Sequence, residues 1–568
     1  ESMKARLEDH AAFAEEVRMA GMEHVLLLGM GGSSLAPELF QQTFGNRKGY
    51  PELSVLDSTH PTAVKAVEAR LDLSKTFFIV SSKSGGTTET NSFFKYFWKK
   101  VSGLSKEPGR QFAAITDPKT SLAKLAAENR FRMVFDGDPE VGGRYSALSA
   151  FGLVPAALTG LDIKRLLGRA ADAAKECGKG SKTKDASGLV LGAVIGELAL
   201  AGRDKLTCVV SPGLASLPVW LEQLIAESTG KHGKGIVTVT DERLGPVSSY
   251  GKDRLFVFFD LNNEWDIHKA FAEKLSRAGH PTVRIHLADR YDIGYEMYRW
   301  EAATAAAGAI LGINPFDQPD VQLAKDMAKK AMAGGANSVD DTKTIPVNDG
   351  KKLKKGLDAW LKKARPGDYL AIQAFLPPTG HATEALQGLR SALQKRSRLP
   401  TTTGYGPRFL HSTGQLHKGG PNSGLFMQLV DDVRDELEVP GAGYTFGKLV
   451  RAQAMGDFSA LEQRGRRVIR VEVGAETVIT SGHGIDFTDR VTPGKKVLVG
   501  GRNSVAYTSI KTALVGFTRS VAYDYGPHNI RCNVICAGAI TTRISPAPGS
   551  ELHQRQISKT FRGRIGQP

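Results

Sequence analysis

The sequence has few of the features that mark secreted, metal-binding or membrane proteins. Its 568 residues include only four cysteines, at positions 177, 208, 532 and 536. Their spacing fits no metal site and is typical of reduced thiols in a cytosolic protein. The longest apolar run, residues 189–201, is shorter than the ~20 residues of a membrane span and contains Glu197. We therefore expect a buried helix there, no secretory signal and a cytoplasmic protein that binds no membrane.

Motifs for nucleic-acid recognition are also missing, although the formal net charge is +16. Such a basic balance fits nucleic acid, an anionic membrane or anionic substrates. Much of the excess lies in the lysine-rich segment 351–363, where Leu357, Trp360 and Leu361 complete an amphipathic helical pattern. This pattern is typical of a solvated helix face. Without a helix-turn-helix, zinc finger or RNA-binding motif, we expect no nucleic-acid partner.

Two loops rich in glycine and hydroxyl groups are the most informative feature that is present. Residues 29–34 and 81–90 each follow a short apolar run, at 25–28 and 77–80, and each precedes a helix-like run. Backbone N–H groups at such a helix start bind anions, so two of these loops indicate a small phosphorylated ligand. Structural turns and a dinucleotide fold are the alternatives. The first loop has Ser34 where the third dinucleotide glycine belongs, and Lys83 in the second suits a phosphate monoester.

The chain is long enough for two to four domains. From 25 to about 160, strand and helix patterns alternate, which predicts a parallel sheet with helices on both faces. A second α/β unit covers 161–330, with strands at 206–210, 235–239, 255–259 and 283–285 and a helix at 217–228. A further module covers 331–475 and contains a strand at 368–374 and a polar loop at 410–421. We therefore divide the chain into four predicted domains, residues 1–160, 161–330, 331–475 and 476–568.

Five motifs occur in order along the first 330 residues. They are Gly-Met-Gly-Gly-Ser at 29–33, Ser-Lys-Ser-Gly-Gly-Thr-Thr-Glu-Thr at 82–90, Gly-Gly-Arg-Tyr-Ser at 142–146, Glu-Ser-Thr-Gly-Lys at 227–231, and Asn-Pro-Phe-Asp-Gln-Pro at 314–319 with Lys325. Together they resemble the sugar-isomerase (SIS) domains of the phosphoglucose isomerase family. The stretch to about 475 is most similar to the isomerase half of bacterial bifunctional transaldolase/phosphoglucose isomerase proteins.

This resemblance implies a fold, an activity and a set of site residues. The fold is α/β, with two SIS-type doubly wound parallel-sheet sandwiches, a C-terminal α/β extension and an incomplete Rossmann-like tail. The activity is the interconversion of glucose 6-phosphate and fructose 6-phosphate through a cis-enediol, in glycolysis and gluconeogenesis, without cofactor or metal and in a homodimer. The implied catalytic residues are Glu227 as the base, Arg144 near the enediolate and Lys325 in ring opening. The implied substrate-binding residues are Gly32, Ser33, Ser82, Lys83, Ser84, Thr87, Gln223 and Gln318.

The family also uses a histidine in ring opening, and its position in this sequence stays open. His280 and His286 are nearest in order to the motif at 227–231. His411 and His417 lie in the polar loop at 410–421. An isolated histidine is more often structural than functional, so the sequence does not choose among the four.

After about residue 475 the sequence resembles the C-terminal half of a short-chain dehydrogenase. Tyr507 and Lys511 have the Tyr-x-x-x-Lys spacing that puts both on one helix face, where the lysine lowers the tyrosine pKa. No cofactor-binding glycine turn precedes them, and Gly494 stands where the family has its catalytic serine. We therefore interpret the tail as a fused fragment without dehydrogenase activity.

Three alternative functions stay open at this point. A non-catalytic sugar-phosphate sensor would keep the glycine-rich loop at 81–90, here called the phosphate loop, but it would not need Glu227 and Lys325. An oxidoreductase would depend on Tyr507 and Lys511. Transaldolase activity would require a domain upstream of Glu1, where the chain begins without an initiator methionine.

Overall fold

The structure is a computed structural model that describes residues 3–178, 186–262, 264–333, 343–433 and 436–473. Internal contacts divide the chain into two units, Glu1–Arg490 and Val491–Pro568, and all described residues belong to the first. The tail residues discussed above, Gly494, Tyr507 and Lys511, lie outside the described residues, as do Cys532 and Cys536.

The described residues form sixteen α-helices and sixteen β-strands. The helices are α1 (Leu7–Met19), α2 (Leu35–Phe44), α3 (Pro61–Glu68), α4 (Thr88–Ser102), α5 (Ser121–Glu128), α6 (Ala150–Leu158), α7 (Ile163–Glu176), α8 (Ser187–Leu200), α9 (Leu217–Thr229), α10 (Trp265–Arg277), α11 (Asp292–Leu311), α12 (Val321–Ala333), α13 (Gly350–Leu361), α14 (Gly380–Ser397), α15 (Gly414–Gly419) and α16 (Phe446–Gln463). The strands are β1 (His24–Gly29), β2 (Glu52–Leu56), β3 (Thr76–Ser81), β4 (Phe112–Thr116), β5 (Met133–Asp136), β6 (Lys205–Val210), β7 (Val237–Val239), β8 (Arg254–Leu261), β9 (Thr282–Leu287), β10 (Thr344–Pro346), β11 (Tyr369–Phe375), β12 (Thr401–Tyr405), β13 (Gly424–Asp431), β14 (Glu438–Val439), β15 (Tyr444–Thr445) and β16 (Arg467–Val473).

The first sheet is parallel and has the strand order β2-β1-β3-β4-β5. Its central strands β1 and β3 are apolar and almost entirely buried, as expected for strands covered by helices on both faces. The strands predicted at 25–28 and 77–80 are thus confirmed. Because β1 and β3 are neighbours, the two glycine-rich loops leave the sheet side by side at its carboxyl edge, where open α/β sheets bind ligands.

The second sheet is also parallel, in the order β7-β6-β8-β9. All four of its predicted strands are present, and β8 is buried along its whole length. The predicted helix at 217–228 is α9, which follows β6 and begins with Pro218 in its first turn. Proline is favoured there because its missing N–H has no partner within the helix.

The third sheet contains the strands between 344 and 473, in the parallel order β10-β16-β13-β11-β12. The predicted strand at 368–374 is β11. Read from β12, the order β12-β11-β13-β16 repeats the arrangement of the other two sheets, with β10 added at one edge. The segment 410–421 is not entirely loop, because it contains the short buried helix α15.

Helix α8 corrects one expectation. The apolar run at 189–201 does form a helix, but one side of it is exposed to solvent. Its exposed large side chains are Leu189, Val190, Val194 and Leu200. The opposite side packs on α11, where Gly192 allows close contact with the backbone of Ala303. In contrast, α13 has the predicted amphipathic character, with Leu357 and Trp360 buried beneath solvated lysines.

Candidate active site

The loop between β3 and α4 presents hydroxyl groups at a helix N-terminus. Ser82 is buried, and its Oγ lies 2.9 Å from Oγ1 of Thr87, the residue that caps α4. Ser84 is exposed, and Gly85 takes a positive φ of 66° beside Thr120. The hydroxyls, the free backbone N–H groups and the helix dipole together make a site that favours a phosphate group.

Lys83 lies in this loop, but its side chain has a carboxylate partner. The ammonium forms an ion pair with Asp117, which follows β4, and donates to the carbonyl of Asp138 at 3.1 Å. Asp117 thus partly balances the positive charge of Lys83. The expected direct ion pair between Lys83 and a phosphate therefore stays a prediction.

The loop after β1 contains glycines that let other segments pack closely against it. Gly31 has a positive φ of 56°, and a Cβ there would lie 2.9 Å from both Gln223 Nε2 and the carbonyl oxygen of His411. A Cβ on Gly32 would lie 2.0 Å from the carbonyl oxygen of Gly143. These glycines allow three segments to meet: the loop itself with buried Ser33, the segment that carries Arg144, and helix α9.

Glu227 is the central carboxylate of this meeting point. It lies near the end of α9, with only 14% of its side chain exposed, and its Oε1 is 3.2 Å from Arg144. Gln223, one turn earlier on the same helix face, donates to Oε2 at 3.2 Å. Burial raises the pKa of Glu227 above its ordinary value, although Arg144 and Gln223 oppose the shift. A carboxylate with a raised pKa is suited to moving a proton.

Arg144 connects α9 to the turn that precedes α12. Its guanidinium donates to Ser228 Oγ at 2.8 Å, to Gln318 Oε1 at 3.0 Å, and to the carbonyl oxygens of Pro315 and Asp317 at 2.6 and 2.9 Å. The rigid fork of donors of an arginine permits this set of contacts. As a result, Gln318 and Glu227 contact the same guanidinium.

Lys325 lies in the second turn of α12 and is exposed. Its positive charge is among the influences that lower the pKa of Glu89, a buried residue in the first turn of α4. The structure thus relates Lys325 electrostatically to the end of the phosphate loop.

His411 was one of four histidines that the sequence left open, and its partner Glu89 was not among the predicted site residues. Nε2 of His411 lies 2.9 Å from Oε1 of Glu89, and the carbonyl oxygen of His411 accepts from Gln223 at 2.7 Å. Burial alone would raise the pKa of Glu89, but His411 holds it below its ordinary value. The only sequence signals were the glutamate within the motif at 82–90 and the polar character of the loop at 410–421.

Ion pairs hold the segment before His411 against the first sheet. Arg408 pairs with Glu38 of α2 and lies 3.3 Å from Asp57, which follows β2. Asp57 also accepts a hydrogen bond from Ser34 at 3.3 Å, and burial raises its pKa to about 7. These contacts bring a residue of the third α/β unit to the carboxyl edge of the first sheet.

The other three candidate histidines have structural surroundings. His417 is buried beside Phe409 and Phe426, and burial lowers its pKa well below the ordinary value. His280 packs on Tyr250 and Phe256. His286 lies 2.8 Å from a carboxylate oxygen of Asp260. Of the four candidates, His411 is the one that meets Gln223 and the phosphate loop.

Across the ranges that the structure describes, no group of three or more potential ligand side chains is placed to hold a metal ion. The same ranges contain no helix that is long and apolar enough to cross a membrane. Cys177 and Cys208 are free thiols.

Comparison with known proteins gives two family matches. Residues 11–261 match the model of phosphoglucose isomerase, and residues 494–568 match the model of enoyl-(acyl carrier protein) reductase. The first match contains four of the five motifs. The second covers the part of the tail whose sequence resembles a short-chain dehydrogenase.

Individual relatives extend the first match. The glucose-6-phosphate isomerase of Carboxydothermus hydrogenoformans is 30% identical over 375 residues, which are 55% of this chain and 79% of that protein. The enzyme of the same name from Rubrobacter xylanophilus is 29% identical over 374 residues, 57% of this chain and 85% of that protein. A hypothetical protein of Thermus thermophilus of known structure is 27% identical, with a TM-score of 0.52 over 58% of this chain and 89% of that one.

A structure named glucose-6-phosphate isomerase from Chlamydia trachomatis supports the fold, with a TM-score of 0.51 at 18% identity over 63% of this chain and 76% of that one. The parallel sheets and the two loops at a shared carboxyl edge therefore define an α/β protein of the sugar-isomerase class. Within that class, the relatives identify the family: the chain belongs to the glucose-6-phosphate isomerases.

Proposed function

We propose that this protein is a glucose-6-phosphate isomerase that interconverts glucose 6-phosphate and fructose 6-phosphate through a cis-enediol. The observation that carries the proposal is Glu227, a buried carboxylate with a raised pKa that contacts Arg144 beside a loop suited to phosphate. The family membership of the chain supports the same reaction.

In this proposal Glu227 is the base. It takes the proton from C2 of the open-chain aldose, which leaves an enediolate with negative charge on O1. The proton of the O2 hydroxyl moves to O1 as the C2 carbonyl forms, and Glu227 returns its proton to C1 to give the ketose. Arg144 stabilises the enediolate, because its permanent positive charge is held next to the base at 3.2 Å.

The phosphate is held by the Ser82, Ser84 and Thr87 hydroxyls and the N-terminus of α4, with Lys83 adding positive charge that Asp117 partly balances. Gly32 and Ser33 line the sugar side, together with the carboxamide of Gln223, which contacts Glu227. Gln318, which contacts Arg144, keeps the phosphate-side place that the resemblance implies. Glucose 6-phosphate and fructose 6-phosphate are dianions near neutral pH, which such donors favour.

Ring opening needs a second acid–base group. We assign it to His411, because Glu89 fixes its imidazole next to the phosphate loop. The exposed Lys325 contributes its positive charge to the same neighbourhood. His411 thus takes the place that the sequence left open among four histidines.

Assembly and location follow from the same family resemblance. A homodimer is supported by the apolar side of α8, since exposed apolar patches of this kind often form contacts between subunits. A cytoplasmic location is supported by the free thiols of Cys177 and Cys208. A monomer in sedimentation equilibrium, or recovery outside the cytoplasmic fraction of cells, would contradict these assignments.

The test is a coupled assay that supplies fructose 6-phosphate and detects glucose 6-phosphate. We expect turnover by the wild type and a loss of about 10²- to 10⁴-fold in Glu227→Gln, because the amide cannot accept the proton. Phosphate binding should remain, since Glu227 lies on the sugar side.

Glu222→Gln is the matched control. Glu222 lies on the same helix and is also buried, but it faces a small cavity lined by Gln373, Thr402 and His417. Burial raises its pKa to about 8, so the carboxyl is already largely neutral at pH 7. We expect wild-type turnover in this variant. A wild type that binds sugar phosphate without turnover would instead favour the non-catalytic sensor.

A further inference from the structure

Glu89 has a second hydrogen-bond donor besides His411. Nε2 of Gln453, on helix α16 of the third α/β unit, donates at 2.8 Å to the same Oε1 atom that His411 contacts at 2.9 Å. Oε1 of Gln453 in turn accepts from the Thr59 hydroxyl at 2.7 Å. Thr59 is completely buried, and Gln453 and Glu89 are each only 6% exposed. The four residues form one continuous hydrogen-bonded line.

The chemistry of the line allows only one orientation of the Gln453 amide. An ionised carboxylate only accepts hydrogen bonds, so the amide must direct its NH₂ group at Glu89 and its oxygen at Thr59. The lowered pKa of Glu89 keeps the carboxylate ionised at neutral pH. Thr59 thus fixes Gln453, and Gln453 fixes the rotation of the Glu89 carboxylate, a torsion that is otherwise soft.

A fixed Glu89 determines what His411 can do. With Nε2–H donating to the carboxylate, Nδ1 is the ring atom that remains available for proton exchange. We propose that Gln453 is a positioning residue for ring opening: it holds Glu89 so that His411 keeps one tautomer and one ring orientation. This inference rests on the proposed function and extends it to a residue of α16.

A positioning role in ring opening has a specific consequence for substrates. Cyclic sugar phosphates need acid–base help at the ring before Glu227 can act, whereas an open-chain substrate does not. Loss of the Gln453 amide should therefore slow the reaction of a cyclic substrate and spare that of an acyclic one. Damage to the packing of α16 would affect both substrates equally.

The experiment compares Gln453→Met with the wild type on two ketose phosphates, with conversion followed by proton NMR. Fructose 6-phosphate closes to a ring through its C5 hydroxyl. The 5-deoxy analogue of fructose 6-phosphate lacks that hydroxyl and stays open, with the same carbon chain and phosphate. We expect kcat/KM for fructose 6-phosphate to fall about tenfold or more, less than the ~10²–10⁴ of losing an acid–base group, and kcat/KM for the analogue to stay at the wild-type value.

Gln428→Met is the matched control. Gln428 is another buried glutamine, and its Nε2 donates at 2.9 Å to the carbonyl of Ala454, the residue that follows Gln453 on α16. This variant removes a buried amide contact to the same helix turn without touching Glu89. We expect the ratio of the two kcat/KM values to remain that of the wild type.

Gln453→Glu adds a readout that a merely structural role would not change. When its carboxyl is protonated it donates to Glu89 and replaces the amide. When it is ionised, two carboxylates face each other and repel. We expect fructose 6-phosphate turnover by this variant to approach that of the wild type at low pH and to fall as the pH rises, with no such trend for the analogue.

Equal losses of both substrates in Gln453→Met, or no loss at all, would overturn the role of Gln453. So would a change in the substrate ratio in Gln428→Met. A wild type that converts neither substrate would instead overturn the proposed isomerase function, and this inference with it.

Discussion

At the scale of single residues, the site depends on charges that are buried and then balanced. Arg144 is only 3% exposed and uses its donors on α9 and on the turn before α12. Such a buried guanidinium is tolerable only because each of its donors has a partner. It also opposes the burial that raises the pKa of Glu227.

Replacement of Arg144 by glutamine should therefore change the pH dependence of the reaction. Burial raises the pKa of Glu227, and removal of the opposing charge raises it further. Glu227 acts as a base only when ionised, above its pKa, so the acid limb of kcat/KM should move to higher pH as the plateau falls. A pH profile of kcat/KM with fructose 6-phosphate measures both effects.

Arg165→Gln is the control for this profile, because Arg165 forms an exposed pair with Asp289. This variant should leave the pH of the acid limb and the plateau value of kcat/KM unchanged. An acid limb at the wild-type position in Arg144→Gln would contradict the electrostatic influence of Arg144 on Glu227.

Local spacing made part of the site predictable. Gln223 and Glu227 are four residues apart on one helix, and their side chains meet, as an i,i+4 pair should. His411 could not be chosen in this way, because its partner Glu89 is 322 residues earlier in the chain and the contact depends on how distant elements pack. The ion pair between Lys83 and Asp117 could not be predicted for the same reason, because it forms only when β3 and β4 pair in the sheet.

At the scale of elements, β1, β3 and the four strands of the second sheet were predictable because they are short apolar runs bounded by turns. The third unit gave a weaker signal. One of its strands, β10, has only three residues, and the polar segment at 410–421 hides the buried helix α15. In this sheet β13 pairs with β11 on one side and with β16 on the other, although these strands are far apart in the chain. No local sequence pattern reveals such pairing.

Helix α15 is held to α16 by an ion pair with no access to solvent. Nζ of Lys418 lies 2.6 Å from Oδ1 of Asp457, and both side chains are buried to within 1%. Asp457→Asn would leave the ammonium buried without a counter-charge, so we expect the free energy of unfolding to fall by about 3–5 kcal/mol. Denaturant titration measures the change as a lower midpoint at unchanged slope.

The comparison for Asp457→Asn is Glu128→Gln. Glu128 forms an exposed i,i+4 pair with Lys124 at 3.8 Å. Exposed pairs contribute about 0.5 kcal/mol or less, so this variant should keep nearly the wild-type midpoint. Similar losses in the two variants would mean that the buried pair does not anchor α15.

At the scale of the whole molecule, the proposed site draws on more of the chain than the family model covers. The phosphoglucose isomerase match ends at residue 261. Gln318, His411 and Gln453 lie beyond it, yet each contacts a residue inside the matched part. The third α/β unit is therefore a component of the site and not an appendage to it.

A chain ended after Arg490 should therefore keep full isomerase turnover. The contacts of the chain divide at this residue, and the residues assigned to the site, from Gly32 to Gln453, precede it. The second family match, residues 494–568, would be removed completely. Measurement of kcat/KM for fructose 6-phosphate in the shortened and the full chain tests the expectation directly, with circular dichroism to establish that both are folded.

In parallel, NADH added to the full chain should show no quenching of its fluorescence, because the cofactor-binding turn of a dehydrogenase does not precede Tyr507. Loss of turnover in a folded shortened chain would show that the tail takes part in isomerisation, and quenching by the full chain would restore the oxidoreductase as a second activity.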